Sequence, residues 1–187
     1  MSPTREQLEA ARGRTVPDLI APDLRVLFCG INPGLTSGAV GHHFAHPGNR
    51  FWKVLHAAGF TDRVLSPFEE AELLPLGLGV TNLVERTTAA AAELSAAELR
   101  EGAERLAAKV RLHRPEVVAF LGLGAYRAAF GRRTAALGPQ EEDIGGARVW
   151  LLPNPSGLQG RYGLAAMAEA FAEMGSATTG RAAGGRG

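Results

Sequence analysis

Arg25-Val26-Leu27-Phe28-Cys29-Gly30-Ile31, running straight into Asn32-Pro33-Gly34, is the stretch that decides how this chain is built. Its apolar residues are continuous rather than alternating, as in a strand buried on both faces. Similar runs follow at Glu116 to Leu121 and Arg148 to Leu152, and Leu78 to Leu83 reads as a further extended segment. Helix signals lie between them. Ser95 with Glu98 forms a capping box that opens a helix through about Leu112. Asn49 caps a second helix, with Phe51, Trp52, Leu55 and His56 on one face and Gly59 at its close. Shorter helices are expected over Thr4 to Arg12, Phe68 to Leu74, Gly122 to Phe130 and Gly163 to Met174. Strands alternating with helices predict an α/β fold, three layers α/β/α around a short, mainly parallel central sheet.

Working outward, 187 residues suit one domain with a real core. Residues 1–16 read as an N-terminal extension, 17–174 as the single domain, and 175–187 as a small, flexible, basic tail. No apolar run is long enough to cross a bilayer, and the polar start Met1-Ser2-Pro3-Thr4-Arg5-Glu6 does not read as a secretory signal. A cytoplasmic, prokaryote-like setting is expected. The single Cys29 excludes an internal disulfide and any cysteine-held cluster or zinc, and reads as a small core residue. No cofactor is expected. A net charge of +1 lends no support to nucleic-acid binding, so a DNA partner requires basic residues gathered on one face.

In parallel sheets ligands collect where strand carboxyl ends open onto loops. Two loops here follow strands and are rich in Asn, Pro and Gly: 30–48 and 153–162. The glycines and prolines of 32–48 predict an irregular segment. Asn32, just past a strand end, is an uncharged amide able to hold a water through its carbonyl oxygen. Taken alone, the five residues Gly30 to Gly34 fit a plain turn equally well, and Phe44 alone fits a core aromatic. His42, His43 and His46 do not suit a metal, because adjacent histidines seldom aim at one ion and the loop has no carboxylate or thiolate. A phosphate-handling enzyme is the rival α/β reading. Its motifs are missing, since Gly122-Leu123-Gly124 lacks a correctly placed third glycine and no Gly-x-x-x-x-Gly-Lys loop occurs.

Three motifs in order carry more. Gly30-Ile-Asn-Pro-Gly-Leu35 with Gly41-His-His-Phe-Ala-His-Pro-Gly-Asn-Arg-Phe-Trp-Lys53, then Gly79-Val-Thr-Asn-Leu-Val-Glu-Arg-Thr-Thr88, then Leu152-Pro-Asn-Pro-Ser-Gly-Leu158 closely resemble the mismatch-specific uracil- and thymine-DNA glycosylase family. The resemblance implies that Asn32 positions the attacking water and that Phe44 stacks on a flipped base. It implies that main-chain groups around Gly30, Ile31 and Phe44 read the base edge, with Ser37, His43 and Asn82 completing the pocket. Asn82 would bring a second amide near the sugar or phosphate, although alone it reads equally as a loop cap. Asn154, Ser156, Gly157, Leu158, Gln159 and Arg161 would face DNA, with Leu158 as an apolar wedge. Gly157 and Gln159 would then meet the orphaned guanine and Arg161 a phosphate. The loop from Gln159 to Gly163 is one residue longer than the bacterial pattern.

The implied substrate is double-stranded DNA with a mismatched or damaged pyrimidine, and the implied enzyme is a monomer without cofactor. A base must leave the stack before it can be attacked, at a cost of a few kcal/mol that is smaller in a mismatch. The motif loops offer no Asp or Glu beside Asn32, so the base assisting water is weak and the leaving group must be good, as uracil is. His43, Asn82 and Glu85-Arg86-Thr87-Thr88 resemble the thymine-DNA glycosylase branch; Ser37 and the Asn-Pro-Ser-Gly-Leu loop resemble the bacterial mismatch-specific uracil branch. Uracil opposite guanine is the expected best substrate, ahead of thymine or cytosine adducts. A damage binder that has lost the reaction is the remaining alternative within this fold.

Overall fold

The computed structural model describes residues 2–156 and 162–179. Four strands form a parallel array: β1 (Val26–Gly30), β2 (Leu78–Asn82), β3 (Val117–Leu121) and β5 (Arg148–Leu152). A two-residue strand, β4 (Gly138–Pro139), pairs antiparallel with β5 and has no signal in the sequence pattern. The order across the sheet is β2-β1-β3-β5-β4. Six α-helices accompany it: α1 (Arg5–Ala10), α2 (Leu35–Val40), α3 (Phe51–Ala57), α4 (Ala96–His113), α5 (Leu123–Phe130) and α6 (Leu164–Thr179). A 3-10 helix covers Pro67–Leu76 and includes the short helix expected over Phe68 to Leu74.

The sheet has a core on each face, which is why its strands read as unbroken apolar runs. Val26 and Phe28 join Phe51, Leu55, Phe171 and Met174 of α3 and α6 on one side. Leu27 and Cys29 join Leu106, Val110 and Tyr126 of α4 and α5 on the other. The three-layer α/β/α architecture is therefore present, with helices on both faces. Cys29 is fully buried, and burial pushes its thiol far above the ordinary range. Among the described residues no helix is long and apolar enough to cross a membrane.

Several local expectations change. Segment 32–48 contains α2, which starts after Gly34 in extended conformation and ends at Gly41 with φ +76°. Its internal Gly38 is a packing residue, because a Cβ there would lie 2.5 Å from the Thr87 Oγ1. On α3 the buried positions are Phe51, Trp52, Val54 and Leu55; His56 faces out, its Nδ1 3.0 Å from the Thr61 carbonyl. Residues 5–16 are integrated into the fold: Ala11 and Val16 are buried, and Gly13 and Arg14 exchange main-chain bonds with Thr87. Helix α6 continues through 175–179, past the expected start of the tail, because Gly175 lets it approach Phe60 and the Thr178 hydroxyl bonds back to the Gly175 carbonyl. Residues 180–187 lie outside the described residues.

Strand β1 leads to β2 on one side of it and β3 lies on its other side, so the chain reverses direction across the sheet between β1 and β3. Such a switch point opens a crevice at the strands' carboxyl edge.

Candidate active site

A cleft of about 820 Å³ opens at that edge. Each parallel strand contributes its last residues: Gly30, Ile31 and Asn32 after β1, Asn82 from β2, Leu121 from β3, and Asn154 and Ser156 after β5. Register explains the grouping, since Gly30 lies opposite Asn82 and Leu121 opposite Leu152. Ser37, His43 and Phe44 also line it, as do Leu8, Leu35 and Ala89–Ala92. Thus every pocket residue expected from the sequence borders one cleft, as do Asn154 and Ser156. The other expected DNA-facing residues, Gly157, Leu158, Gln159 and Arg161, lie outside the described residues.

Asn32 is half-buried and tightly oriented. Its Nδ2 donates to the Arg86 carbonyl at 3.0 Å, the Thr88 Oγ1 at 2.7 Å and the Pro33 carbonyl at 3.3 Å. Two of these partners are carbonyls, which only accept, so the nitrogen and not the oxygen must face them. The Thr88 hydroxyl in turn donates to the Ala90 carbonyl at 2.9 Å, leaving its oxygen to accept from Asn32. The amide cannot turn without breaking this set. Its carbonyl oxygen takes no hydrogen bond from a described residue.

The backbone beneath is equally fixed. Leu83, Val84 and Thr88 donate to the carbonyls of Gly30, Ile31 and Pro33, so the stretch after β1 and the stretch after β2 run as one unit. Arg86, whose carbonyl holds Asn32, is itself anchored to Glu98 at 2.5 Å. That guanidinium and the Ser95 cap hold the Glu98 carboxyl at about 2. Thr88 and Arg86 were quoted in the sequence motif, but only the fold shows what they do.

Phe44 fits both readings. It stacks on the core ring of Phe51, with centroids 4.1 Å apart, and also borders the cleft. It holds a left-handed backbone, φ +51°, which is uncommon for a bulky residue and found at functional turns. Gly30 forms the floor; a Cβ there would lie 2.7 Å from the Asn82 Oδ1 and 3.5 Å from the Phe44 ring. Ser37 is buried, its Oγ accepting from the Ala45 N–H at 3.0 Å.

His43 is 2 % exposed and joins two walls. Its Nε2 lies 2.8 Å from the Pro17 carbonyl and must carry the proton, which makes Nδ1 an acceptor facing the Asn82 Nδ2 at 3.4 Å. Burial pulls the His43 pKa below its ordinary value, so the neutral ring is favoured. Pro17 is held in place by its neighbours: Leu19 pairs with Val80, while Asp18 accepts from the Thr81 hydroxyl at 2.7 Å and pairs with Lys109.

No described residue lining the cleft is Asp or Glu. Its described polar lining consists of side-chain amides, hydroxyls, imidazoles and main-chain groups. A pocket at the switch point of an α/β sheet is where this architecture collects its ligands. The family model of the uracil DNA glycosylase superfamily matches residues 17–175, and the chain belongs to that superfamily. Members of the superfamily are DNA glycosylases, hydrolases that act in base excision repair.

Proposed function

We propose that this chain is a monofunctional, mismatch-specific uracil-DNA glycosylase, acting as a monomer on duplex DNA and working best on uracil opposite guanine. The observation that carries the reading is Asn32: an amide locked through its nitrogen, lining a cleft large enough to admit a flipped base, with its carbonyl oxygen left to accept from a water.

The reaction breaks the C1′–N1 bond of a flipped deoxyuridine and forms a C1′–O bond to water. As the base departs, the sugar gains oxocarbenium character and the uracil takes the bonding electron pair as an anion. Asn32 Oδ1 accepts one water hydrogen and so directs a lone pair at C1′. The water's second proton is lost to solvent after bond formation, which suits a site without a strong base. Phe44 offers a π-face to the base, and the Asn82 amide, turned by His43, offers polar atoms to its edge. In this reading Leu158 fills the gap left in the duplex, Gly157 and Gln159 meet the orphaned guanine, and Arg161 reaches a phosphate. Most of the rate then comes from a substrate with a competent leaving group and from preorganised dipoles.

Excision from matched duplexes carrying G·U, A·U or G·T tests this. Cleavage of G·U fastest, with G·T slower, is expected. A strong preference for A·U sinks the mismatch assignment, and no excision from any duplex sinks the glycosylase assignment.

A further inference from the structure

Phe44 holds a backbone that its neighbours must impose. Its φ of +51° lies in the left-handed region, which a bulky L-residue keeps only where surrounding bonds over-determine it. The peptide N–H groups on either side of it are both taken by side chains. The Ser37 Oγ accepts from the Ala45 N–H at 3.0 Å, and the Glu70 Oε2 accepts from the His43 N–H at 2.9 Å. The N–H of Phe44 itself donates to no described residue, although Phe44 borders the cleft.

Glu70 brings more than one contact to this turn. Its second oxygen, Oε1, lies 2.9 Å from the His42 Nδ1, so one carboxyl group holds two consecutive residues ahead of Phe44. Two contacts from one planar group fix direction as well as distance. The ring of His42 also meets the Phe68 ring edge-on, with centroids 4.9 Å apart. Phe68 and Glu70 belong to the same 3-10 helix, Pro67–Leu76, whose start is pinned. Glu69 accepts from the Ser66 N–H at 2.8 Å and pairs with Arg63 at 2.9 Å, while Leu73 is fully buried. The Glu70 side chain is 13 % exposed and is not among the residues lining the cleft.

We infer that Glu70 is a positioning residue for the base pocket. With Ser37 it clamps the two peptide N–H groups flanking Phe44 and imposes the left-handed turn there. The Phe44 N–H is thereby left to donate to a ring carbonyl of the flipped base. The inference rests on the proposed glycosylase function, which supplies the base. Glu70 itself touches neither base nor water. Its loss is felt where a base occupies the pocket and not where the duplex presents none.

The test compares wild type with Glu70→Met, Glu70→Ala and Glu70→Gln. The first keeps the bulk without an acceptor, the second removes both, and the third keeps an amide oxygen for the His43 N–H. Single-turnover excision from a G·U duplex is expected to slow by about 10- to 100-fold in Glu70→Met and Glu70→Ala, the scale of a buried N–H left without its acceptor. Glu70→Gln is expected to retain most of the wild-type rate. Affinity for a duplex with an abasic site, which has no base to read, is expected to stay at the wild-type level in all three. In the protein without DNA, a strong intraresidue Hα–HN NOE marks the left-handed backbone of Phe44. It is expected to weaken in Glu70→Met and Glu70→Ala and to persist in Glu70→Gln. Wild-type excision by Glu70→Met, an equal loss in Glu70→Gln, abasic affinity falling in step with excision, or an unchanged NOE in Glu70→Met overturns the inference. If wild type excises from no duplex, the glycosylase function fails on its own, and the NOE still decides whether Glu70 holds Phe44.

Discussion

The two walls of the cleft are built by different means. The wall after β1 is zipped to the wall after β2 by main-chain bonds from Leu83, Val84 and Thr88, with Asn32 locked into the same unit. Among the described residues the wall after β5 combines one main-chain bond, from the Arg50 N–H to the Pro155 carbonyl, with side-chain ties from Asn154 and Arg50. Main-chain ladders spread a perturbation over many bonds, whereas a wall held by a few scattered bonds answers more sharply to the loss of any one of them. Under the proposed function, the more densely bonded wall is the one that holds the reacting group.

Breaking the rigid wall at its functional atom has the largest expected effect. Asn32→Ala should lower single-turnover excision by about 10²- to 10³-fold, the scale of losing one preorganised polar group. Melting temperature and DNA affinity should stay close to wild type, and unchanged turnover would overturn the mechanism. Next is the floor shared by both walls. Gly30→Ala places a methyl 2.7 Å from the Asn82 Oδ1, so the amide or the strand must move. A stability loss of about 1–3 kcal/mol in denaturant titration and weaker binding of an abasic or uracil-bearing duplex are expected.

Thr88→Val keeps the shape but removes the acceptor that fixes Asn32. The amide then retains two partners instead of three, and excision should fall about 5-fold, in line with one net hydrogen bond of ~1 kcal/mol. Thr88→Ser should restore it, which a purely packing role for Thr88 would not predict. Smallest is the response to acid. The His43 pKa is lowered in the folded protein by burial, so below the ordinary value of 6.5 the unfolded chain binds more protons than the folded one. Stability should rise with pH across the window from the lowered folded value up to 6.5, and acidification through that window should loosen the Asn82 side of the pocket. His43→Gln, read by melting temperature between pH 5 and 7, should flatten this slope.

What could be read from the sequence follows from these two kinds of wall. Strands β1 and β3 are buried along their whole length and β5 at Val149, Leu151 and Leu152, so local composition announces them, and Asn32 stands out because it follows the end of one of them. The reason its amide is oriented lies 54 and 56 residues away, at Arg86 and Thr88, where a hydroxyl and a carbonyl carry no local signal. Glycines misled in the opposite sense. Gly38 and Gly175 look like breaks, yet each sits inside a helix and admits a neighbour that a Cβ would strike. His43 could be expected in the pocket by resemblance, but its proton depends on the Pro17 carbonyl, fixed by tertiary packing.

The buried thiol in the middle of the sheet has a practical corollary. Cys29 is the one cysteine of the chain, lies at 0 % exposure in β1, and is held protonated by its surroundings. A folded molecule is therefore silent to alkylating reagents, while an opened one becomes reactive at a single site. The rate at which an alkylating probe is consumed becomes a clock for the departure of β1 from the sheet, running in the same tube as the repair reaction and blind to everything except that event.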